Sequence, residues 1–112
     1  MNAAYARIDP ILDAWAQKFG LHIYRQYQDS EVRGTSVVDD DGVIYGIGVE
    51  CVGDSYLVKC GWTAGKKVDR QRVEKRWERL SSIEELPASL EEAYEMAERW
   101  IAENGHTRTH VR

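Results

Sequence analysis

Metal binding is the first chemistry to test. His106 and His110 stand four residues apart, the spacing that puts two imidazoles on one face of a helix. They lie beyond Gly105, a natural helix stop, and no third ligand is near in sequence, so they read as tail residues. The "DDDG" run (39–42) invites calcium, but a calcium loop spreads six or more oxygens over about a dozen residues. Asp39, Asp40 and Asp41 in a tight turn cannot wrap an ion, and turn chemistry is the expectation. Cys51 and Cys60 have no C-x-x-C or other zinc spacing. No metal and no cofactor is expected.

Catalysis finds little support. There is no G-x-S-x-G, no cysteine with a clear histidine partner and no phosphate-cradling glycine loop. The glycines of "GIGVECVG" fall within strands and do not open a helix, which is the wrong setting for a dinucleotide. His22 stands alone in a strand and reads as a rim residue. The glutamates of "EEAYEMAE" read as a solvated helix face rather than a paired acid and base. The chain is not expected to be an enzyme.

The densest charge lies in "KKVDRQRVEKRWER" (66–79). Its seven basic side chains face Asp69, Glu74 and Glu78, a local balance of +4, so the rest of a chain of net charge −4 carries −8. Arg70, Arg72, Lys75, Arg76, Trp77 and Arg79 are the candidate partner-binding residues. Three readings apply. Lys and Arg on an edge strand discourage aggregation. A basic surface with an exposed aromatic suits an acidic protein partner. The same stripe could hold phosphates, with Trp77 stacking on a base. The acidity elsewhere weighs against nucleic acid, because such binders keep acid away from their approach surface.

Hydrophobic periodicity sets the frame that must carry these residues. Ala4, Ile8, Ile11, Leu12, Trp15 and Phe19 recur at helical spacing, but Pro10 interrupts the series unless it lies in a first turn, giving a helix over Pro10–Phe19 with Asp9 as N-cap and Gly20 as stop, and residues 3–8 as a separate turn. "LHIYRQY" (21–27), "VRGTSVV" (32–38), "VIYGIGVEC" (43–51) and "SYLVKCGW" (55–62) are strands separated by turn chemistry, hence an antiparallel meander. A turn at Gly53-Asp54 pairs Cys51 with Tyr56 and Cys60 with Ile47. That places Ile47, Val49, Cys51, Tyr56, Val58, Cys60 and Trp62 on one face, with the cysteines too far apart to bridge. A four-residue "DDDG" loop extends this face to Val32, Gly34, Ser36 and Val38. Ser89 and Glu92 read as a capping box opening a helix that ends at Gly105, with Leu90, Ala93, Tyr94, Ala97, Trp100 and Ile101 as its apolar stripe. Residues 66–79 fit either a strand or a helix capped by Asp69; the short "TAGKK" connection favours a further hairpin arm.

The order helix, strands, helix resembles that of double-stranded-RNA-binding domains. Those present a lysine cluster at the start of the final helix, where this chain reads "PASLEEA", a sequence that repels phosphate.

The expectation is one α+β domain over residues 1–105: an antiparallel β-meander of four to five strands with an N-terminal and a C-terminal helix packed on one face. Residues 106–112 are expected to fray. The longest apolar run, "VIYGIGV" (43–49), is too short to span a bilayer, and no basic n-region precedes an apolar h-region. The expected class is a small cytoplasmic protein-binding module, adaptor-, immunity- or chaperone-like, able to pair as a homodimer. A nucleic-acid-binding accessory domain is the alternative.

Overall fold

The computed structural model describes residues 3–63 and 73–109. Their elements are α1 (Ala3–Phe19), β1 (Tyr24–Tyr27), β2 (Ser30–Val38), β3 (Ile44–Val52), β4 (Ser55–Thr63), β5 (Val73–Ser81) and α2 (Leu86–Glu103). The strands form one antiparallel sheet in the order β1-β2-β3-β4-β5, the meander that short, turn-rich connections dictate. The fold is α+β. The second half of the basic segment is strand β5; Lys66, Lys67, Arg70 and Arg72 lie outside the described residues. No helix among the described residues is long and apolar enough to cross a membrane.

Strand alternation builds the core. Tyr45, Ile47 and Val49 of β3 and Tyr56, Val58 and Cys60 of β4 meet Ile8, Leu12 and Trp15 of α1 and Leu90, Ala93, Ala97, Trp100 and Ile101 of α2. The β3–β4 register pairs Cys51 with Tyr56 and Ile47 with Cys60, as read from the Gly53-Asp54 turn. Both thiols are free, and burial pushes the Cys60 thiol up to about 12, so it packs as a small apolar group.

Four details depart from the sequence reading. β2 is slipped by one residue. Val38 pairs with Ile44 and Val37 with Tyr45, so Arg33, Thr35 and Val37 face the core while Val32, Gly34, Ser36 and Val38 face outward. A one-residue slip moves a whole strand face, and here Asp39 sets it. Its Oδ1 accepts the Asp41 and Val43 amides, both at 2.9 Å, closing a five-residue connection rather than a four-residue one.

Helix α1 starts at Ala3 and runs through Pro10. An interior proline costs about 3 kcal/mol. Burying Tyr5 and Ile8, each worth about 1.5–3 kcal/mol, offsets that. Asp9 is no cap; its carboxylate takes Arg33 from the sheet at 2.7 and 3.1 Å.

Helix α2 starts one turn before Ser89. Its N-cap is Glu85, which makes no side-chain cap bond, and a reciprocal Ser82–Glu85 pair closes the turn that leads into it: the Ser82 amide donates to Glu85 Oε1 at 3.0 Å, and the Glu85 amide donates to Ser82 Oγ at 3.2 Å. Both Ser82-x-x-Glu85 and Ser89-x-x-Glu92 match the pattern. Ser89 lies within the helix, fully buried, and shares a 2.5 Å hydrogen bond with Ser81 of β5.

Residues 106–109, expected to fray, are tied down. The Thr109 amide donates to Val38 O and the Asp40 amide to Thr107 O, each at 2.8 Å, so the segment lies beside β2 where β1 has ended. Arg108 donates to Tyr94 Oη at 2.6 Å and to the carbonyls of Phe19 and Gly20 at the C-terminal end of α1.

Candidate functional site: the uncovered sheet face

The basic stretch does not form one surface. Alternation along β5 points Lys75, Trp77 and Arg79 toward the helices, in register with Trp62, Cys60 and Val58 of the core face. Lys75 Nζ pairs with Glu103 at 2.9 Å and Arg79 Nη1 with Glu92 at 2.7 Å, both on α2, and Trp77 packs against the core. Arg76 points the other way, in register with Gly61. Of the six residues singled out from sequence, the sheet brings three together beneath α2 and sets Arg76 on the opposite face; Arg70 and Arg72 lie outside the described residues.

Among the described residues no helix lies on the face that Arg76 joins, and that face is built around missing side chains. One cross-strand row runs Gly34, Gly48, Lys59, Glu78, and the next runs Ser36, Gly46, Gly61, Arg76. Four glycines and a serine thus floor the middle of the sheet. Two of these glycines have a local steric reason. A Cβ at Gly34 would meet the Ile47 carbonyl oxygen at 3.2 Å, and one at Gly61 the Lys75 carbonyl oxygen at 3.2 Å. Gly46 has none: a Cβ there meets nothing within 4 Å, and at Gly48 the nearest atom is 3.7 Å away. Glycine inside a strand costs roughly 0.5–1 kcal/mol relative to alanine and often marks close approach by another molecule.

Apolar side chains ring this floor. Tyr24, Tyr27, Ile44, Val52 and Leu80 are the strongly exposed large apolar residues among those described, and the register places all five on this face. A bulge between Tyr24 and Gln26 lets both tyrosines point outward from β1. Hollows of about 570 Å³ beside the tyrosines and about 460 Å³ beside Arg76 and Glu78 share Gly46 and Gly48 and so adjoin over the glycine floor, together the trough. Lys59, which lines the second hollow, is paired with Glu50.

No protein-family model matches the chain, and no curated protein or solved structure is detectably similar to it. The site must be read from its own chemistry.

The other clusters are internally satisfied. Arg33 is 6 % exposed and held by Asp9, by Glu31 at 3.0 Å and by the Val32 carbonyl at 2.8 Å, with its guanidinium over the Tyr5 ring. The Arg33 hydrogen bonds hold the Asp9 carboxyl below its ordinary range. Asp39 and Tyr45 are sealed in the core, and burial raises the Tyr45 hydroxyl above its usual value. His22 stacks edge-on against Tyr24, and His106 pairs with Asp40 at 2.9 Å. Among the described residues no three His, Cys, Asp or Glu side chains are placed to hold a metal.

Sequence alternation already leaves the meander's second face partly open, with Tyr24, Leu57 or Trp77 to surface there; the structure puts Tyr24 and Leu57 on it and Trp77 on the core face. The glycine floor is harder to read, because each glycine, taken singly, is unremarkable in "VRGTSVV", "GIGV" and "KCGW". The signal lay in the register. With β3 paired to β4 as read, Gly48 and Gly61 already share the outward face; β2 joins them only once Asp39 shifts it.

Proposed function

We propose that this chain is a small, non-catalytic protein-binding module that receives a helix of another protein in the glycine-floored trough. The observation that carries this reading is that, among the described residues, one face without a helix holds all five exposed large apolar residues together with two strand glycines that no local contact demands. Exposed, clustered apolar surface of this kind marks interaction sites.

The floor argues for a helix as occupant. Glycines offer no side-chain donors or acceptors, and in the central strands the ladder already uses the backbone groups. An occupant lying there must satisfy its own backbone hydrogen bonds, as a helix does. Along β3 the floor is bounded by Ile44 and Glu50, about 20 Å apart at ~3.3 Å per residue, against a helix diameter of about 10–12 Å. Arg76 and Glu78 border the trough side by side, so the helix that suits this face is apolar on one side and carries both charge signs along its flank.

Site-specific photo-crosslinking in the native host tests the reading. A photoreactive residue at position 46, and another at Leu57, should both link to one partner polypeptide, with the adducts mapping to one amphipathic helix. A probe at Gln17 on α1 should not. Adducts that are nucleic acid, or that form only from Gln17, would count against it.

A further inference from the structure

Among the described residues β5 is the sheet's one long free edge. It spans nine residues, and its described pairing is on one side only, to β4. The opposite edge strand, β1, has four residues and a bulge, and the β2 edge beyond it is taken by residues 107–109. Free strand edges are templates for pairing, and proteins usually blunt them with charges that repel a second copy. The charges on β5 do this in some registers and not in another.

On the outward face, Arg76 and Glu78 make no ion pair among the described residues. On the inward face, Lys75 and Arg79 are each neutralised by a glutamate of α2. A two-fold axis through Arg76 or Glu78 would set that residue against its own copy, like charge on like. An axis through Trp77 sets Arg76 opposite Glu78 of the second copy and Glu78 opposite its Arg76. Lys75 then faces Arg79 across the join, but both charges are already compensated within their own chain. In the same register Trp77, half-buried in the single chain, lies beside its own copy.

We infer that β5 pairs antiparallel with β5 of a second copy about a two-fold axis at Trp77, continuing the sheet across both chains. The contact is isologous and closed, so it yields a dimer rather than a fibre. It uses the strand edge and does not depend on what occupies the trough.

Sedimentation equilibrium of the full chain tests the pairing through Arg76→Glu and Glu78→Arg. Each reversal creates two like-charge pairs in the dimer and should weaken it at least about tenfold. Mixed together, the two variants restore opposite charges at both pairs, so an equimolar mixture should recover the wild-type dimer as a heterodimer. Circular dichroism of each variant checks the fold, and Arg76→Gln with Glu78→Gln provides a milder pair whose effects should follow the same order. A wild-type chain that stays monomeric up to about 1 mM would overturn the inference. So would a dimer indifferent to both reversals, or a mixture no better associated than either variant alone.

Discussion

Tyr45 donates its hydroxyl hydrogen bond to Asp39 Oδ2 at 3.1 Å, with both side chains closed off from solvent. Asn104, just past the end of α2, donates to the same tyrosine oxygen at 2.9 Å. One carboxylate therefore closes the β2–β3 turn, fixes the β2 register and connects the sheet to the end of α2. That register is what turns Gly34 and Ser36 outward and completes the trough floor.

Asp39→Ala should cost about 2–4 kcal/mol, because two turn amides and a buried hydroxyl lose their acceptor together. Tyr45→Phe removes one bond and should cost about 1 kcal/mol. Urea unfolding of the two variants gives the order; an Asp39→Ala chain as stable as wild type would show that the turn does not need the carboxylate.

The four floor glycines should separate into two kinds. Gly46→Ala should leave stability unchanged or raise it by up to about 1 kcal/mol, since the new methyl enters open space and the unfolded chain loses freedom. Gly34→Ala should destabilise, because its methyl would press on the Ile47 carbonyl oxygen. Thermal melts should place Gly34→Ala below wild type and Gly46→Ala at or above it.

Asp9 sets an acid limit. Its folded-state carboxyl sits below the ordinary value because Arg33 donates to it. The stabilisation is therefore fully present above about pH 4, the unfolded value, and is lost as pH falls through the lower folded value. Asp9→Asn should lower stability at neutral pH and flatten its decline below about pH 4. Asp9→Ala should cost about 3 kcal/mol at neutral pH by leaving the buried Arg33 short of its main partner. Unfolding free energies at a series of pH values supply both tests.

Arg108 ties the C-terminal segment to α1 and α2. Its guanidinium meets the last carbonyls of α1 and lies over the Tyr94 ring, 5.3 Å from the centroid, while Tyr94 stacks on Phe19 at 4.2 Å. Arg108→Ala should cost about 1–2 kcal/mol, through lost charge-assisted bonds at a helix C-terminus. Amide exchange should quicken at Thr109 and at Leu21, whose amide caps the end of α1 by donating to Ala16 O at 2.8 Å.

The elements themselves were legible in the sequence. Alternation in "VIYGIGVEC" and "SYLVKCGW" and the two-residue Gly53-Asp54 turn determine the β3–β4 register, and with it most of the core. What sequence pattern could not resolve were choices between equivalent local signals. Ser82-x-x-Glu85 and Ser89-x-x-Glu92 are the same motif, and Ser81 decides between them by hydrogen-bonding Ser89 in the interior. Pro10 reads locally as a helix start until Tyr5 and Ile8 are seen to be buried ahead of it. A "DDDG" turn reads as solvated until Asp39 is found inside. The trough depended on that last choice, because only the Asp39-anchored register aligns the small residues of β2 with Gly46, Gly48 and Gly61. Charge density, in contrast, drew the eye to residues 66–79, where alternation points Lys75, Trp77 and Arg79 toward α2.

The most direct test of the docking face is the affinity of the crosslinked partner helix, made as a peptide, for the wild-type chain and for Gly46→Trp. Titration calorimetry would be run beside a thermal melt of each protein. The indole fills the trough from a position where the fold leaves open space, so the melting temperature should be unchanged and the affinity at least about a hundredfold lower. A Gly46→Trp chain that melts like wild type and binds the peptide equally well would contradict it.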